Sequence, residues 1–149
     1  MIEQFKQQHD EYKAKLISIA TKYHNCRSIN DYAGVQAARD EHAEYELFHA
    51  PDLVGESLLY YKAKENERKE CEARTRVECR KKTGRSKTGD TIKYTYATAK
   101  EAEDSAFLMC SEERLAENEA HRLYNKMRKL KDDRDNLLHS MASKLRENR

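Results

Sequence analysis

The sequence predicts an all-α protein, an elongated and oligomeric helical bundle with a long coiled-coil-like C-terminal helix. Charged residues make up 38% of the 149 residues, against about 25% in an average globular domain. Proline occurs once and glycine four times, and a seven-residue repeat of apolar positions runs through the last third of the chain. This combination is typical of long helices and coiled coils.

The first fifty residues are predicted to form a helical hairpin. Apolar and aromatic side chains recur at steps of three and four from residue 2 to residue 23, which places them on one stripe of a helix ending near His24. Residues 27 to 31 include polar side chains that can cap a second helix, which should end near Phe48.

The third helix should begin at Leu53, because Pro51 disfavours helix for its predecessor and Asp52 is placed to cap the next segment. Between Lys62 and Lys82, fourteen of twenty-one residues are charged. A helix this polar is either a solvated bridge or a surface for a charged partner. Residues 51 to 149 are predicted to form a long helical hairpin with a basic turn at 83 to 97, in one extended domain with residues 1 to 50.

A break at residues 83 to 90 precedes a segment, residues 91 to 96, that alternates like a short strand. The sequence shows no evident partner strand, so it leaves open whether this segment is a strand or the start of a helix. Thr98 and Glu101 match a capping box, which predicts that the last helix begins there.

The last helix carries a heptad pattern. With Ala99 as position a, eleven of fourteen a and d residues up to Lys144 are apolar, which predicts a left-handed supercoil. About fifty residues give a rod of ~75 Å, whereas a compact domain of this size has a radius of gyration of ~15 Å. The apolar stripe must be covered by the N-terminal helices, by other copies, or by both.

Self-association is predicted through the larger apolar residues of this stripe. Those residues are Met109, Leu123, Met127, Leu130, Leu137 and Met141. Two charged residues, Glu113 and Arg134, occupy a positions, where they either pair across an assembly and set its register or mark places where the stripe is hydrated.

Several classes of protein are disfavoured. The chain has neither an apolar stretch long enough to span a membrane nor a secretory signal, so we expect a cytoplasmic protein without a membrane partner, in the host cytoplasm if it is phage-encoded. The four cysteines are scattered, which favours reduced thiols. No catalytic or metal-binding motif is present, so we predict neither an enzyme nor a cofactor or metal.

Charge is strongly segregated along the chain. Residues 1 to 61 carry a net charge of −4, residues 62 to 97 carry +6, and residues 98 to 149 are neutral. We call residues 74 to 96 the basic junction. Its candidate nucleic-acid-binding side chains are Arg74, Arg76, Arg80, Lys81, Lys82, Arg85, Lys87, Lys93, Tyr94 and Tyr96. Cations neutralise phosphates and tyrosines stack on unpaired bases, a combination typical of single-strand binders; the alternative is a solvated helix face with both tyrosines packed on a neighbouring helix.

This arrangement resembles the UvsY family of phage recombination mediators over roughly residues 52 to 149. The resemblance lies in the segment from Asp52 to Lys64 that opens a charged helix, the basic stretch before Gly84, the turn to Asp90, and the sparse apolar positions of the terminal helix. It implies a helical, ring-forming protein that binds single-stranded DNA, contacts a single-strand-binding protein and loads a strand-exchange recombinase. It assigns DNA binding, as a region, to Arg74, Arg76, Arg80, Lys81 and Lys82.

The predicted function is therefore that of a single-stranded-DNA-binding recombination mediator with a homo-oligomeric assembly, which the resemblance implies is a ring. A structural or scaffolding coiled-coil protein of virion assembly, without nucleic-acid binding, is the alternative. A regulatory adaptor that acts on a host protein is a third class. Binding of oligonucleotides over a salt series distinguishes the first class from the other two.

Overall fold

A computed structural model describes residues 1–48, 52–80, 83–85, 91–93 and 99–149. Within these ranges the fold is all-α, as predicted, apart from one short pair of strands. The elements are, in order, α1 (Ile2–Ser28), α2 (Tyr32–Phe48), α3 (Leu53–Arg80), β1 (Thr83–Arg85), β2 (Thr91–Lys93), α4 (Ala99–Met109) and α5 (Ser111–Arg146). Elongation, coiled-coil packing and oligomeric state stay predictions.

Two helices begin with the same capping arrangement. The Gly34 N–H donates to the Asp31 carboxylate at 2.9 Å, and the Gly55 N–H donates to the Asp52 carboxylate at 3.0 Å. Each carboxylate satisfies an amide of the first helical turn that has no partner within the helix. The predicted cap at Asp52 and the start of α3 at Leu53 are therefore confirmed, and Asp31 is the capping residue among the polar residues 27 to 31.

The segment after the break at residues 83 to 90 begins as a strand, β2. β2 pairs antiparallel with β1, with Gly84 opposite Ile92. The partner strand lies within the residues that the sequence assigned to the turn itself, which explains why no partner was evident. The predicted capping residue Thr98 lies outside the described residues.

The predicted single C-terminal helix is divided at Cys110, between α4 and α5. Its N–H still donates to the Ala106 carbonyl at 3.0 Å, and its carbonyl accepts from the Arg114 N–H at 3.1 Å. The helical hydrogen bonding therefore continues through the interruption. Cys110 is also the residue that is bonded to Cys71.

The chain groups into two compact units. Unit 1 comprises Met1–Leu58 and Arg122–Arg149, and unit 2 comprises Leu59–His121. The predicted domain boundary near residue 50 stays a prediction, because a grouping of contacts does not show which segments fold independently.

Unit 1 has an apolar core formed by α1, α2 and the end of α5. Its fully buried members are Ile19, Tyr23, Val35, Ala38 and Met141. The Tyr23 hydroxyl donates to the Ser140 carbonyl at 3.2 Å, so the ring is buried while its polar end is satisfied. These contacts place the predicted apolar stripe of α1 against the chain's own helices.

A polar cluster also lies inside unit 1. The Glu46 carboxylate accepts from the Tyr12 hydroxyl and from Arg134, the latter at 3.4 Å. His42 is buried, and its Nε2 lies 3.4 Å from Glu46 without a hydrogen bond. Burial lowers the pKa of His42 and raises that of Tyr12. Arg134, one of the two charged heptad residues, is thus paired within its own chain.

The predicted oligomerisation residues differ in exposure. Leu123, Met127, Leu130 and Met141 are buried within unit 1, and Leu137 packs against its core. Met109 is 70% exposed, while its neighbour Cys110 is buried. Self-association through these residues stays a prediction, and the N-terminal helices cover much of the stripe.

Among the described helices, none combines the length and the apolar character needed to cross a membrane.

Candidate nucleic-acid interface

The described helices of unit 2 form an antiparallel hairpin in which α3 runs back along α4 and the start of α5. Tyr61 stacks on His121 with ring centroids 4.9 Å apart, and Cys71 is bonded to Cys110 nearer the turn. The groove between Val77 and Ala99 lies nearest the turn. Residues at similar distances from the basic turn in sequence therefore meet.

A network of ion pairs joins α3 to α5, farther from the turn than Arg74 and Arg76. Arg68 donates to Glu117 and, at 3.0 Å, to Glu72. Arg114 lies 3.7 Å from the same Glu72 carboxylate. The hydrogen bond to Glu117 raises the pKa of Arg68. Glu72 is thus neutralised by two arginines, so it does not oppose the cations nearer the turn.

The disulfide between Cys71 and Cys110 links the arms with a Cα–Cα distance of 6.2 Å. The sequence predicted reduced thiols, and for this pair the prediction is wrong, because the hairpin brings residues that are 39 positions apart into contact. The buried Thr75 hydroxyl lies 3.5 Å from the Cys110 sulfur. A Glu113 oxygen lies within 4.8 Å of both sulfurs, but two sulfurs bonded to each other are not available as thiolate metal ligands.

Two cations of the basic junction have described side chains. Arg74 is exposed and Arg76 is half-buried, and neither forms an ion pair with any residue that the structure describes. Glu70 and Arg74 do not pair among these residues, whereas Glu65 and Lys69, at the same spacing of four residues, are paired at 2.7 Å. Among the described residues, therefore, no carboxylate neutralises Arg74 or Arg76.

The other predicted nucleic-acid-binding residues are described less completely. The Arg80 backbone ends α3, and the Arg85 and Lys93 backbones lie in the paired strands, opposite Thr91 and Thr83 respectively. The remaining predicted residues, Lys81, Lys82, Lys87, Tyr94 and Tyr96, lie outside the described residues.

A groove of about 330 Å³ lies between α3 and α4 next to Arg76. Its apolar lining consists of small side chains, those of Ala73, Val77, Ala99 and Ala102, and Glu103 completes it. The arrangement gives an apolar surface with one cation, Arg76, and one carboxylate, Glu103, at its side. Such a surface can take the face of a planar group while the cation meets an attached anion.

The chain matches no protein-family model, and none of the curated proteins or solved structures with which it was compared is similar to it. The resemblance to the UvsY family, and the roles that it implies, therefore stay predictions. The residues that sequence reasoning missed are Cys71 and Cys110. Their nearly equal distances from the predicted turn were the signal that could have paired them.

Proposed function

We propose that this chain binds single-stranded DNA through the basic junction and acts as a recombination mediator that helps to load a strand-exchange recombinase. The observation that carries the proposal is the contrast between cations within unit 2. Arg68 and Arg114 are paired with carboxylates, whereas Arg74 and Arg76, closer to the turn, have no such partner among the described residues. Cations without a described partner, within a segment that carries a net charge of +6, favour a polyanionic partner.

The apolar groove beside Arg76 supports the same ligand. A single strand presents phosphates and unpaired bases together, and it is bound by cations beside surfaces on which bases stack. The ion pairs of Glu72 support the proposal as well, because they remove a carboxylate that would repel a phosphate. Mediator activity rests on the family resemblance alone.

Replacement of the two described arginines tests the binding site. In the double variant Arg74→Gln and Arg76→Gln, the slope of log K against log salt concentration for oligothymidine binding should be smaller in magnitude by about 1.4. This is about 0.7 for each lost phosphate contact. Between 50 and 200 mM salt, the loss of affinity in this variant should therefore be about sevenfold smaller than in the wild type. Fluorescence anisotropy with a labelled 20-mer measures it.

The matched control is Arg27→Gln with Arg39→Gln, which removes the same charge from two exposed cations that lack a described ion-pair partner. Equal effects of the two double variants would show that only net charge matters. Replacing Arg80, Lys81, Lys82 and Arg85 by Ala should weaken binding further, and unchanged affinity in that variant would refute the proposal. Mediator activity requires that the chain speed recombinase assembly on DNA coated with single-strand-binding protein.

The alternative, a scaffolding or protein-contact role, is favoured by one observation. Leu108, Met109 and Leu115 are each exposed by about two thirds or more. Large exposed apolar patches mark sites of protein contact. We propose self-association through this surface; light scattering of a Leu108→Ser and Leu115→Ser variant tests it, and an unchanged mass would contradict it.

A further inference from the structure

The residues around the Cys71–Cys110 disulfide include a set of metal ligands that the bond makes unavailable. One sulfur comes from α3 and the other from the junction of α4 and α5, and Glu113 lies in the first turn of α5. One oxygen of Glu113 and the two sulfurs all lie within 4.8 Å of one another. Two sulfurs and one carboxylate oxygen are three of the four ligands of a tetrahedral zinc site.

Helical backbone holds these ligands in position. Cys110 and Glu113 are three residues apart, and the Arg114 N–H donates to the Cys110 carbonyl at 3.1 Å, so helical hydrogen bonding runs through this turn. Residues three apart lie on the same face of a helix. Cys71 lies opposite them on α3, with its Cα 6.2 Å from that of Cys110. The three ligand groups therefore converge from two facing helical arms within unit 2.

The Glu113 carboxylate has no other described role. It is half-buried, but it forms neither an ion pair nor a hydrogen bond with any residue that the structure describes. In contrast, Glu72, which follows Cys71 in sequence, pairs with Arg68 and lies 3.7 Å from Arg114. A carboxylate that is partly removed from water costs free energy when it has no partner. A cation bound between Glu113 and the sulfurs would supply one.

The surroundings of the sulfurs suit a metal-bound thiolate. Cys110 is buried, and so is Thr75, whose hydroxyl lies 3.5 Å from the Cys110 sulfur. This hydroxyl can donate a hydrogen bond to the sulfur once the sulfur is a thiolate, and such donors orient a metal ligand and tune its affinity. Cys71 and Glu113 are only half-buried, which gives an ion access from solvent.

Opening the disulfide converts the two sulfurs into ligands. A dithiol reductant supplies two electrons and two protons, the S–S bond between Cys71 and Cys110 breaks, and the reductant leaves with its own disulfide. A zinc ion then displaces the two thiol protons and binds both thiolates. Zn–S bonds of about 2.3 Å in a tetrahedron place the sulfurs about 3.8 Å apart. Rotation about the two Cα–Cβ bonds supplies this separation.

We propose that the reduced chain binds one zinc ion through Cys71, Cys110 and Glu113, with water as the fourth ligand. Two soft thiolates select zinc over magnesium and calcium, which prefer oxygen ligands. The ion then joins the same two arms of unit 2 that the disulfide joins in the oxidised chain. The inference is independent of the proposed function, because it uses none of the candidate nucleic-acid-binding residues.

Cobalt(II) is the probe, because thiolate coordination in a tetrahedral site gives it strong visible absorption, whereas zinc has none. The background variant carries Cys26→Ser and Cys79→Ser, so that Cys71 and Cys110 are the remaining thiols. After reduction with a phosphine, it should bind one cobalt ion per chain, and zinc should displace the cobalt. The oxidised protein should give no thiolate–cobalt absorption. If the reduced protein gives none either, the inference is wrong.

The third ligand is tested by Glu113→Gln, with Glu112→Gln as the matched control. Both variants remove one carboxylate from the first turn of α5, and Glu112 is exposed. Loss of the Glu113 ligand should weaken cobalt binding by at least about tenfold, since even a group that only supports a ligand contributes about 10- to 100-fold. The Glu112 variant should bind cobalt like the background variant. Equal affinities of the two variants would overturn the three-residue site.

Urea unfolding gives a second readout that does not depend on absorbance. Zinc at about 100 times its Kd should raise the unfolding midpoint of the reduced background variant by about 1 M, because it binds the folded chain. It should leave the midpoint of the oxidised protein unchanged. If reduction alone unfolds unit 2, added zinc should restore the helical circular dichroism, and a failure to restore it would contradict the inference.

Discussion

Opening the Cys71–Cys110 disulfide should destabilise unit 2 by an amount that follows from its position in the chain. The bond closes a loop between residues 39 positions apart. In the chain-entropy model, this loop lowers the entropy of the unfolded chain by about 13 cal/mol/K, or about 4 kcal/mol at 25 °C. The perturbation is either a phosphine reductant or the double variant Cys71→Ser and Cys110→Ser.

The assay is urea unfolding followed by circular dichroism, with and without reductant. The free energy of unfolding should fall by about 2 kcal/mol for each molar of urea. A loss of about 4 kcal/mol in that free energy therefore lowers the unfolding midpoint by about 2 M. Cys26 carries a free thiol, so Cys26→Ser is the control and should leave the effect of the reductant unchanged.

A labelling experiment can refute this reasoning directly. If the bond is present, Cys71 and Cys110 resist alkylation in the unfolded, unreduced protein and react after reduction. Alkylation of both residues without reductant would show that the bond is absent. An unchanged midpoint after confirmed reduction would instead show that the bond does not restrain the unfolded chain as argued.

Two further predictions concern unit 1. Burial lowers the pKa of His42, so the unfolded state binds more protons than the native state below pH 6.5. The free energy of unfolding should therefore fall as the pH drops from 7 to 5. The slope should be at most about 1.4 kcal/mol per pH unit. Thermal unfolding of His42→Leu should show a flatter pH dependence, and equal slopes would contradict this. Met127→Ala should lose about 2 to 5 kcal/mol, because the side chain is buried, while the exposed Met109→Ala should change by about 0.5 kcal/mol or less. If the Met127→Ala loss depends on protein concentration, Met127 packs between copies and not within unit 1.

Local signals predicted the helix starts well. Asp31 and Asp52 cap helices as expected, because a cap depends on a few neighbouring residues. The heptad repeat was less reliable near the start of the last helix, where Cys110 is buried and Met109 is exposed. A strict seven-residue repeat drifts relative to a helix of 3.6 residues per turn, so one misplaced position is enough to exchange them.

Contacts between distant segments could not be read from the sequence. Any two of four cysteines can pair, and only the fold of α3 against α4 selects Cys71 and Cys110. Likewise, Lys13 and Lys126 line one groove only because α1 lies beside α5. For the basic junction, the sequence identified the cations. It could not show that the nearby Glu72 pairs with Arg68 and Arg114, and not with Arg74 or Arg76.

The helix caps at Asp31 and Asp52 limit the stabilisation that can be gained by replacing glycines of this protein. Replacing a helical glycine by alanine normally gains about 1 kcal/mol of helix propensity. At Gly55, however, an added methyl group would press against the Asp52 carboxylate, and at Gly34 it would press against the Cys26 sulfur and lie 2.5 Å from an Asp31 oxygen. Either carboxylate must then rotate away from its amide, which costs about 1 kcal/mol of capping. Alanine at these two glycines should therefore leave thermostability close to that of the wild type.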